Sequence, residues 1–153
     1  METKEASAPV KILSIEDNDG DRLLVKTAFF TVTRQVSLEC VGDGAEAMKY
    51  LRKQPPYESV ETPHLILLDL NLPGMNGKEV LEQIKTDPGL KDIPVLILSG
   101  SLVPEDVEDC YRLKANCYLQ KPAGFGAFLK LIYSVNQFWI RPPPPRGQVH
   151  PAA

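Results

Sequence analysis

The stretch Leu65-Ile66-Leu67-Leu68-Asp69-Leu70-Asn71-Leu72-Pro73-Gly74-Met75-Asn76-Gly77 constrains this chain most. Four consecutive aliphatic side chains leave no polar face, which suits a strand buried between two layers, as in a parallel sheet. One carboxylate, Asp69, follows them. Pro73, Gly74, Asn76 and Gly77 then break the chain, so Asp69 is expected at the carboxyl end of a strand and at the mouth of a loop. In open α/β sheets that rim is where ligands bind. Taken alone, a carboxylate there also reads as a turn or capping aspartate; its company elsewhere in the chain decides between the two.

The rest of the chain repeats the same alternation. Val10, Ile12, Leu13 and Ile15 predict a first strand ending at Glu16-Asp17. Asn18 or Asp19 caps the helix that follows, with Asp21 in its first turn, where the helix dipole favours an acid. Leu24, Ala28 and Val32, with Phe29, supply its apolar face. Val36, Leu38 and Cys40 alternate as a less buried strand. After the Gly42-Asp43-Gly44 turn, Ala45 to Gln54 reads as a helix with Ala47, Met48 and Leu51 inward. Pro55 to Pro63 is a long irregular connection on the side away from Asp69. Lys78 to Lys85 predicts a helix through Val80, Leu81 and Ile84, ended by Asp87-Pro88-Gly89. Val95 to Leu98 is a second continuous apolar run, closed by Ser99-Gly100-Ser101. Pro104 opens a helix at a position proline tolerates, with Val107, Cys110 and Tyr111 on one side. Cys117 to Leu119 is a short strand running into Gln120-Lys121-Pro122, and Phe125 to Ile140 is a last, strongly apolar helix.

Five strand signals alternating with five helical ones predict an α/β, doubly wound parallel sheet of five βα units. Residues 9–140 form one domain, preceded by a loose leader, 1–8, and followed by a proline-rich tail, 141–153, expected to be extended or disordered. A chain of 153 residues suits one domain with a proper core. The net charge of −3 gives no electrostatic support to nucleic-acid binding. No apolar stretch is long enough to span a bilayer, and the acidic start lacks a signal core, so the expected location is the cytoplasm. The three cysteines, Cys40, Cys110 and Cys117, have no metal-site spacing and read as small buried hydrophobes.

Parallel strands share their carboxyl edge, so Glu16, Asp17, Asp69, Ser99 and Lys121 are expected on one rim. Crowded carboxylates raise one another's pKa unless a cation sits among them. A hard divalent ion such as Mg2+ resolves the repulsion with few protein ligands. Asp17 and Asp69 are candidate direct ligands, Glu16 acts through water, and a carbonyl near Asn71 completes the protein's share. A carboxylate so placed is a nucleophile able to form an aspartyl phosphate. Phosphoryl transfer needs positioning and charge neutralisation above all. Lys121 supplies a positive charge, the Ser99 hydroxyl donates to a phosphoryl oxygen, and Gly100 leaves room for a bulky donor.

These residues resemble the receiver domain of two-component response regulators. The resemblance runs from about Val10 to Trp139 and rests on Glu16-Asp17, on Asp69 to Gly77, on Pro94 to Gly100 and on Tyr118-Leu119-Gln120-Lys121-Pro122. It implies a flavodoxin-like three-layer sandwich with strand order 2-1-3-4-5, for which receivers are a standing example. It implies phosphotransfer from a histidine kinase to Asp69 with Mg2+, with Glu16, Asp17, Asp69 and the Asn71 backbone carbonyl as metal ligands. Lys121 and Ser99 then assist the transfer, and Ser99 and Tyr118 act as switch residues. It also implies a cis peptide before Pro122, and Asn71 and Ser101 at positions that tune phosphate lifetime. A narrower likeness, through Glu16-Asp17-Asn18, Asp21, the loop to Pro63, Asn116-Cys117-Tyr118 and Phe138-Trp139, points to single-domain regulators of phytochrome-type histidine kinases; another sensor kinase is the alternative input.

With no effector domain in the sequence, output must come from the receiver's own surface. Phe125, Leu129, Ile132 and Trp139 suffice for a core stripe on the last helix, leaving Phe128, Leu131 or Phe138 at its margins. That surplus predicts a homodimer through the 104–139 helix-strand-helix face, biased by phosphate and independent of pH. Two other classes compete. An aspartyl-nucleophile phosphatase would prefer a second Asp at position 71, which is Asn. An adaptor receiver that never takes phosphate would not need the full acidic, hydroxyl and lysine set. On the first reading the chain is a phosphoacceptor with self-catalysed chemistry rather than an enzyme.

Overall fold

The computed structural model describes residues 8–140. The leader, apart from Ala8, and the 141–153 tail lie outside the described residues. In chain order the elements are β1 (Val10–Ile15), α1 (Asp19–Val32), β2 (Val36–Val41), α2 (Gly44–Leu51), β3 (Leu65–Leu68), α3 (Gly77–Thr86), β4 (Val95–Ser99), α4 (Pro104–Arg112), β5 (Cys117–Gln120) and α5 (Phe125–Val135), which runs into a π turn over Asn136–Ile140. The strands form one sheet in the order β2-β1-β3-β4-β5, with every neighbouring pair parallel. This is the doubly wound parallel sheet that the βα alternation predicted, in the flavodoxin-like order that the resemblance implied.

The side-chain period of two along each strand divides the core into two layers. Leu13, Ile15, Ile66, Leu68, Val95 and Ile97 face α2, α3 and α4, whose Ala47, Leu51, Val80, Leu81, Ile84 and Cys110 close over them. Ile12, Leu65, Leu67, Leu96 and Leu98 face the other way, against Val25, Ala28 and Phe29 of α1 and Phe128, Ile132 and Val135 of α5. The continuous apolar runs of β3 and β4 are therefore buried on both sides, as expected for central parallel strands. Asn18 caps α1 by accepting from the Asp21 N–H at 2.8 Å, and Asp43 caps α2. Asn76 and Glu79 close a reciprocal capping box on α3. Both devices fix where a helix begins relative to the rim.

Several expectations are corrected. Helix α2 stops at Leu51 rather than Gln54, because Lys53 adopts a left-handed backbone (φ 56°) that ends the turn. On α1 Val25 joins Ala28 and Phe29 in the core, with Leu24 only half-buried. On α4 only Cys110 is buried, and Tyr111 lies exposed. On α5 Phe128 is core at 2% exposure, whereas Phe125 (42%) and Trp139 (38%) are exposed. The core face runs 128, 132, 135; Phe125 sits in the first turn, and the π turn rotates Trp139 out of the register a continuous α-helix would give it. The cis peptide among the described residues joins Pro55 to Pro56, and the bond before Pro122 is not cis.

Candidate functional site

Backbone hydrogen bonds bring the strand ends to a common edge. The Glu16 N–H donates to Val41 O at 3.0 Å, the Asp69 N–H to Ile15 O at 3.0 Å, and the Lys121 N–H to Ser99 O at 2.8 Å. Each bond extends the parallel ladder by one residue past an apolar strand. Residues 16, 69, 99 and 121 thus leave the sheet side by side. Gly77 packs against the main chain of Asp69 and Leu70 so tightly that a Cβ there would lie 2.4 Å from the Asp69 carbonyl oxygen. The start of α3 is thereby docked on the backbone that carries Asp69.

Glu16 and Asp69 are buried, and Asp17 is exposed. Oxygen atoms of all three lie within 4.8 Å of one another. The Lys121 ammonium stands beside them, 2.8 Å from Glu16 Oε1, 3.3 Å from Asp69 Oδ2 and 2.7 Å from Asp21 Oδ2. Burial pushes the Glu16 carboxyl above its ordinary range; the Lys121 hydrogen bond and the Asn18 N–H bond oppose the shift, and the Asp69 charge adds to it. For Lys121, burial works against the charge, but the hydrogen bonds to Asp21 and Glu16 and the fields of Asp69 and Glu16 hold the ammonium above its ordinary range. The arrangement is an anionic cup with one fixed cation at its wall. It fits a divalent cation: three carboxylates with convergent oxygens and a single lysine leave negative charge uncompensated in a partly desolvated place.

The remaining predicted residues fall on or near the same rim. The Asn71 N–H donates to Asp69 Oδ1 at 3.3 Å, so residue 71 lies against the carboxylate. Ser99 is fully buried, and its hydroxyl accepts from the Ser101 N–H at 3.2 Å. The half-buried Tyr118 packs against the α2–α3–α4 side of the core and donates its hydroxyl hydrogen to Ser101 O at 3.2 Å. Gly100 has open space around its α-carbon.

Sequence reasoning missed three participants. Asp21, read as a helix-dipole acid, bonds Lys121, a hundred positions away, a contact that no local spacing announces. Arg22 donates Nε to Glu16 O at 2.7 Å and braces the first acidic residue. Lys78 reaches across from α3 to Asp106 (2.7 Å) and Asp109 (2.9 Å) of α4, while Asp106 also accepts from the Ser101 hydroxyl at 2.6 Å. No pattern in the sequence announces a bridge between two helices.

A second feature lies away from the rim. Cys117, Leu119, Leu131, Val135, Phe138 and Trp139 line an apolar groove of about 330 Å³ where α5 and its π turn lie along β5. Cys110 is buried, and burial pushes its thiol up to about 11, which leaves it without thiolate at neutral pH. No helix among the described residues is long and apolar enough to cross a membrane.

Comparison with known proteins agrees with this geometry. Response regulator Rcp1 of a Synechocystis species is 41% identical over 89% of this chain and 92% of its own length. A probable methanogenesis regulatory protein, FilR2, of Methanothrix harundinacea is 35% identical over 89% and 87%. Among solved structures, the phosphorylated cyanobacterial phytochrome response regulator RcpA superposes with a TM-score of 0.83 at 42% identity, covering 87% of this chain and 95% of that one. The Mn2+-bound form of Rcp1 superposes with a TM-score of 0.81 at 40% identity, covering 94% and 100%. A sequence profile described as the response regulator receiver domain matches residues 12–133, and the chain belongs to that family.

Proposed function

We propose that the chain is a response regulator receiver that takes a phosphoryl group from a histidine kinase onto Asp69. What supports this reading above all is the meeting of Glu16, Asp17 and Asp69 oxygens beside the Lys121 ammonium at the carboxyl edge of the sheet. Glu16, Asp17 and Asp69, with the Asn71 backbone carbonyl, are the residues to hold Mg2+, and a bound Mg2+ supplies charge neutralisation for the transferring phosphoryl group. An Asp69 Oδ atom forms its bond to phosphorus as the bond from phosphorus to the donor's leaving atom breaks, and the leaving group keeps that electron pair. Lys121 offers an N–H to a phosphoryl oxygen. Ser99 keeps a free hydroxyl hydrogen, since its oxygen accepts from Ser101, and donates it to another. These groups position and neutralise, the contributions that matter most in phosphoryl transfer. Loss of the phosphate uses the same residues with water as acceptor, so the chain is a self-processing phosphoacceptor rather than an enzyme turning over a separate substrate. Its likeness to phytochrome response regulators favours a phytochrome-type kinase as donor and the cytoplasm as the place of work.

Ser99 and Tyr118 are the switch residues of this reading, linked through Ser101. The output face is α4, β5 and α5. Tyr111, Tyr133, Phe138 and Trp139 are exposed there, and the groove beside β5 is almost wholly apolar. A second copy of the chain covers it, with affinity raised by phosphorylation. Sedimentation equilibrium with and without beryllofluoride reads this directly; a monomer at all concentrations in both samples refutes the dimer. The phosphoacceptor itself is tested with acetyl phosphate and Mg2+. Wild type acquires a hydroxylamine-sensitive phosphate and Asp69→Asn acquires none; equal labelling of both refutes the assignment.

A further inference from the structure

Phosphate acceptance at Asp69 leaves one nearby carboxylate without a task, and the role inferred for that carboxylate rests on the phosphoacceptor reading. Asp21 lies in the first turn of α1 and outside the trio of Glu16, Asp17 and Asp69 whose oxygens converge. Yet its Oδ2 makes the shortest of the three bonds to Lys121, 2.7 Å against 2.8 Å for Glu16 and 3.3 Å for Asp69. A lysine ammonium has three N–H donors and no more. In this structure all three are engaged by carboxylates, so a phosphoryl oxygen on Asp69 must win one of them from an existing partner.

The Glu16 carboxylate is nearly inaccessible and fastened from two sides, since its other oxygen accepts from the Asn18 N–H. The Asp21 carboxylate is far more exposed, with about a third of its side chain open to solvent, and its own capping bond uses the backbone N–H rather than the carboxylate. It can therefore be changed without unmaking the helix start. We propose that Asp21 is a positioning residue that holds the Lys121 ammonium toward α1, away from Asp69, and so restrains phosphorylation until a phosphoryl group competes for that ammonium. Two effects act in the same direction. Asp21 withholds a donor from the phosphoryl oxygens, and its charge adds to the field opposing an incoming phosphate dianion. With this acid in place the chain accepts phosphate more slowly, and holds a phosphate mimic less tightly, than it does without it.

The test uses the full chain and three proteins, wild type, Asp21→Asn and Asp21→Glu, each first confirmed folded by its thermal unfolding curve. Labelling by acetyl phosphate with Mg2+ is followed in time, and beryllofluoride affinity is titrated through Trp139 fluorescence. The inference requires Asp21→Asn to label about 3- to 10-fold faster than wild type at low salt, a range expected from one partly screened charge at this distance. It requires the gain to shrink at high salt, beryllofluoride to bind more tightly, and Asp21→Glu to recover the slow rate. A purely structural role for Asp21 would give none of the salt dependence. An Asp21→Asn protein that labels at the wild-type rate or below overturns the inference while leaving Asp69 as the acceptor. Absence of label on wild type overturns the phosphoacceptor reading, and this inference with it.

Discussion

Gly77 offers the sharpest test of how the fold holds Asp69 in place. A Cβ at this position would lie 2.4 Å from the Asp69 carbonyl oxygen and 2.5 Å from the Leu70 Cα, where ordinary contact begins at 3.4 Å. Both neighbours are backbone, so no side chain can swing aside. Gly77→Ala must therefore open the α3–β3 junction by about 1 Å, the shortfall between those distances. Overpacking of this kind costs about 1–3 kcal/mol, which for a domain of this size lowers Tm by about 3–12 °C. The displaced residue is Asp69, the proposed acceptor, and a misplacement of about 1 Å can reduce a positioned reaction about 100-fold. Gly126 is the control. It lies within α5 with nothing within 4 Å of a built Cβ, so Gly126→Ala should stabilise by about 0.5–1 kcal/mol through helix propensity. Urea unfolding reads the stability change, and acetyl phosphate labelling reads the rate. If Gly77→Ala unfolds at the wild-type urea midpoint and labels at the wild-type rate, the close approach does not exist and the docking of α3 on Asp69 is wrong.

Phe128→Ala removes a ring that is 2% exposed and should cost about 3–5 kcal/mol, while Phe125→Ala, at a ring 42% exposed, should cost less than about 1 kcal/mol; denaturant midpoints for the two decide which aromatic belongs to the core. Lys78→Met should loosen α4, seen as faster amide hydrogen exchange over Pro104–Arg112, because Lys78 ties that helix to α3 through Asp106 and Asp109. Its hydrogen bond, and then that of Ser101, holds the Asp106 carboxyl below its ordinary value of 3.8. A lowered folded pKa means stability that is present above the unfolded value and lost as pH falls through the folded one. The difference in urea midpoint between wild type and Lys78→Met should therefore be constant at neutral pH, begin to shrink only as pH falls below about 3.8, and be gone once pH lies below the lowered folded value as well; a difference that does not shrink at all in acid refutes the ion-pair account.

The rim was legible in the sequence because parallel strands share a carboxyl edge. Once β1, β3, β4 and β5 were recognised from apolar runs, the polar residue after each run had only one place to go. Glu16, Asp69, Ser99 and Lys121 all arrive there by that rule. The helices were less legible where the outcome depends on what lies beyond the sheet. Phe125 has the right spacing to join the face of Phe128 and Ile132, but it sits one turn earlier and stays exposed. Trp139 would continue that face in an α-helix, and a π turn that hydrophobic spacing does not encode turns it out. Lys121 and Asp21 are a hundred positions apart, and only the packing of α1 against α5, which follows the Lys121 loop, brings them into contact. The acidic residue was visible; the partner that gives it a task was not.

Ser101 is where a change at the rim would reach the output face. Three of its groups point three ways: its N–H to the Ser99 hydroxyl oxygen, its hydroxyl to Asp106, and its carbonyl to the Tyr118 hydroxyl. Asp106 in turn is shared with Lys78 of α3. Under the phosphoacceptor reading, a Ser99 drawn toward a phosphoryl oxygen pulls Ser101 through the first of these bonds, and the other two cannot both keep their lengths. Phosphorylation can shift the protein only by interacting differently with its two states. On that reading the difference is a competition among a few hydrogen bonds, each worth about 1 kcal/mol net, and the unphosphorylated chain should already sample the second state. The proposed dimer face carrying Tyr111, Phe138 and Trp139 should then be biased by phosphate rather than created by it, and a second copy present at high concentration should select the same state without any phosphate at all.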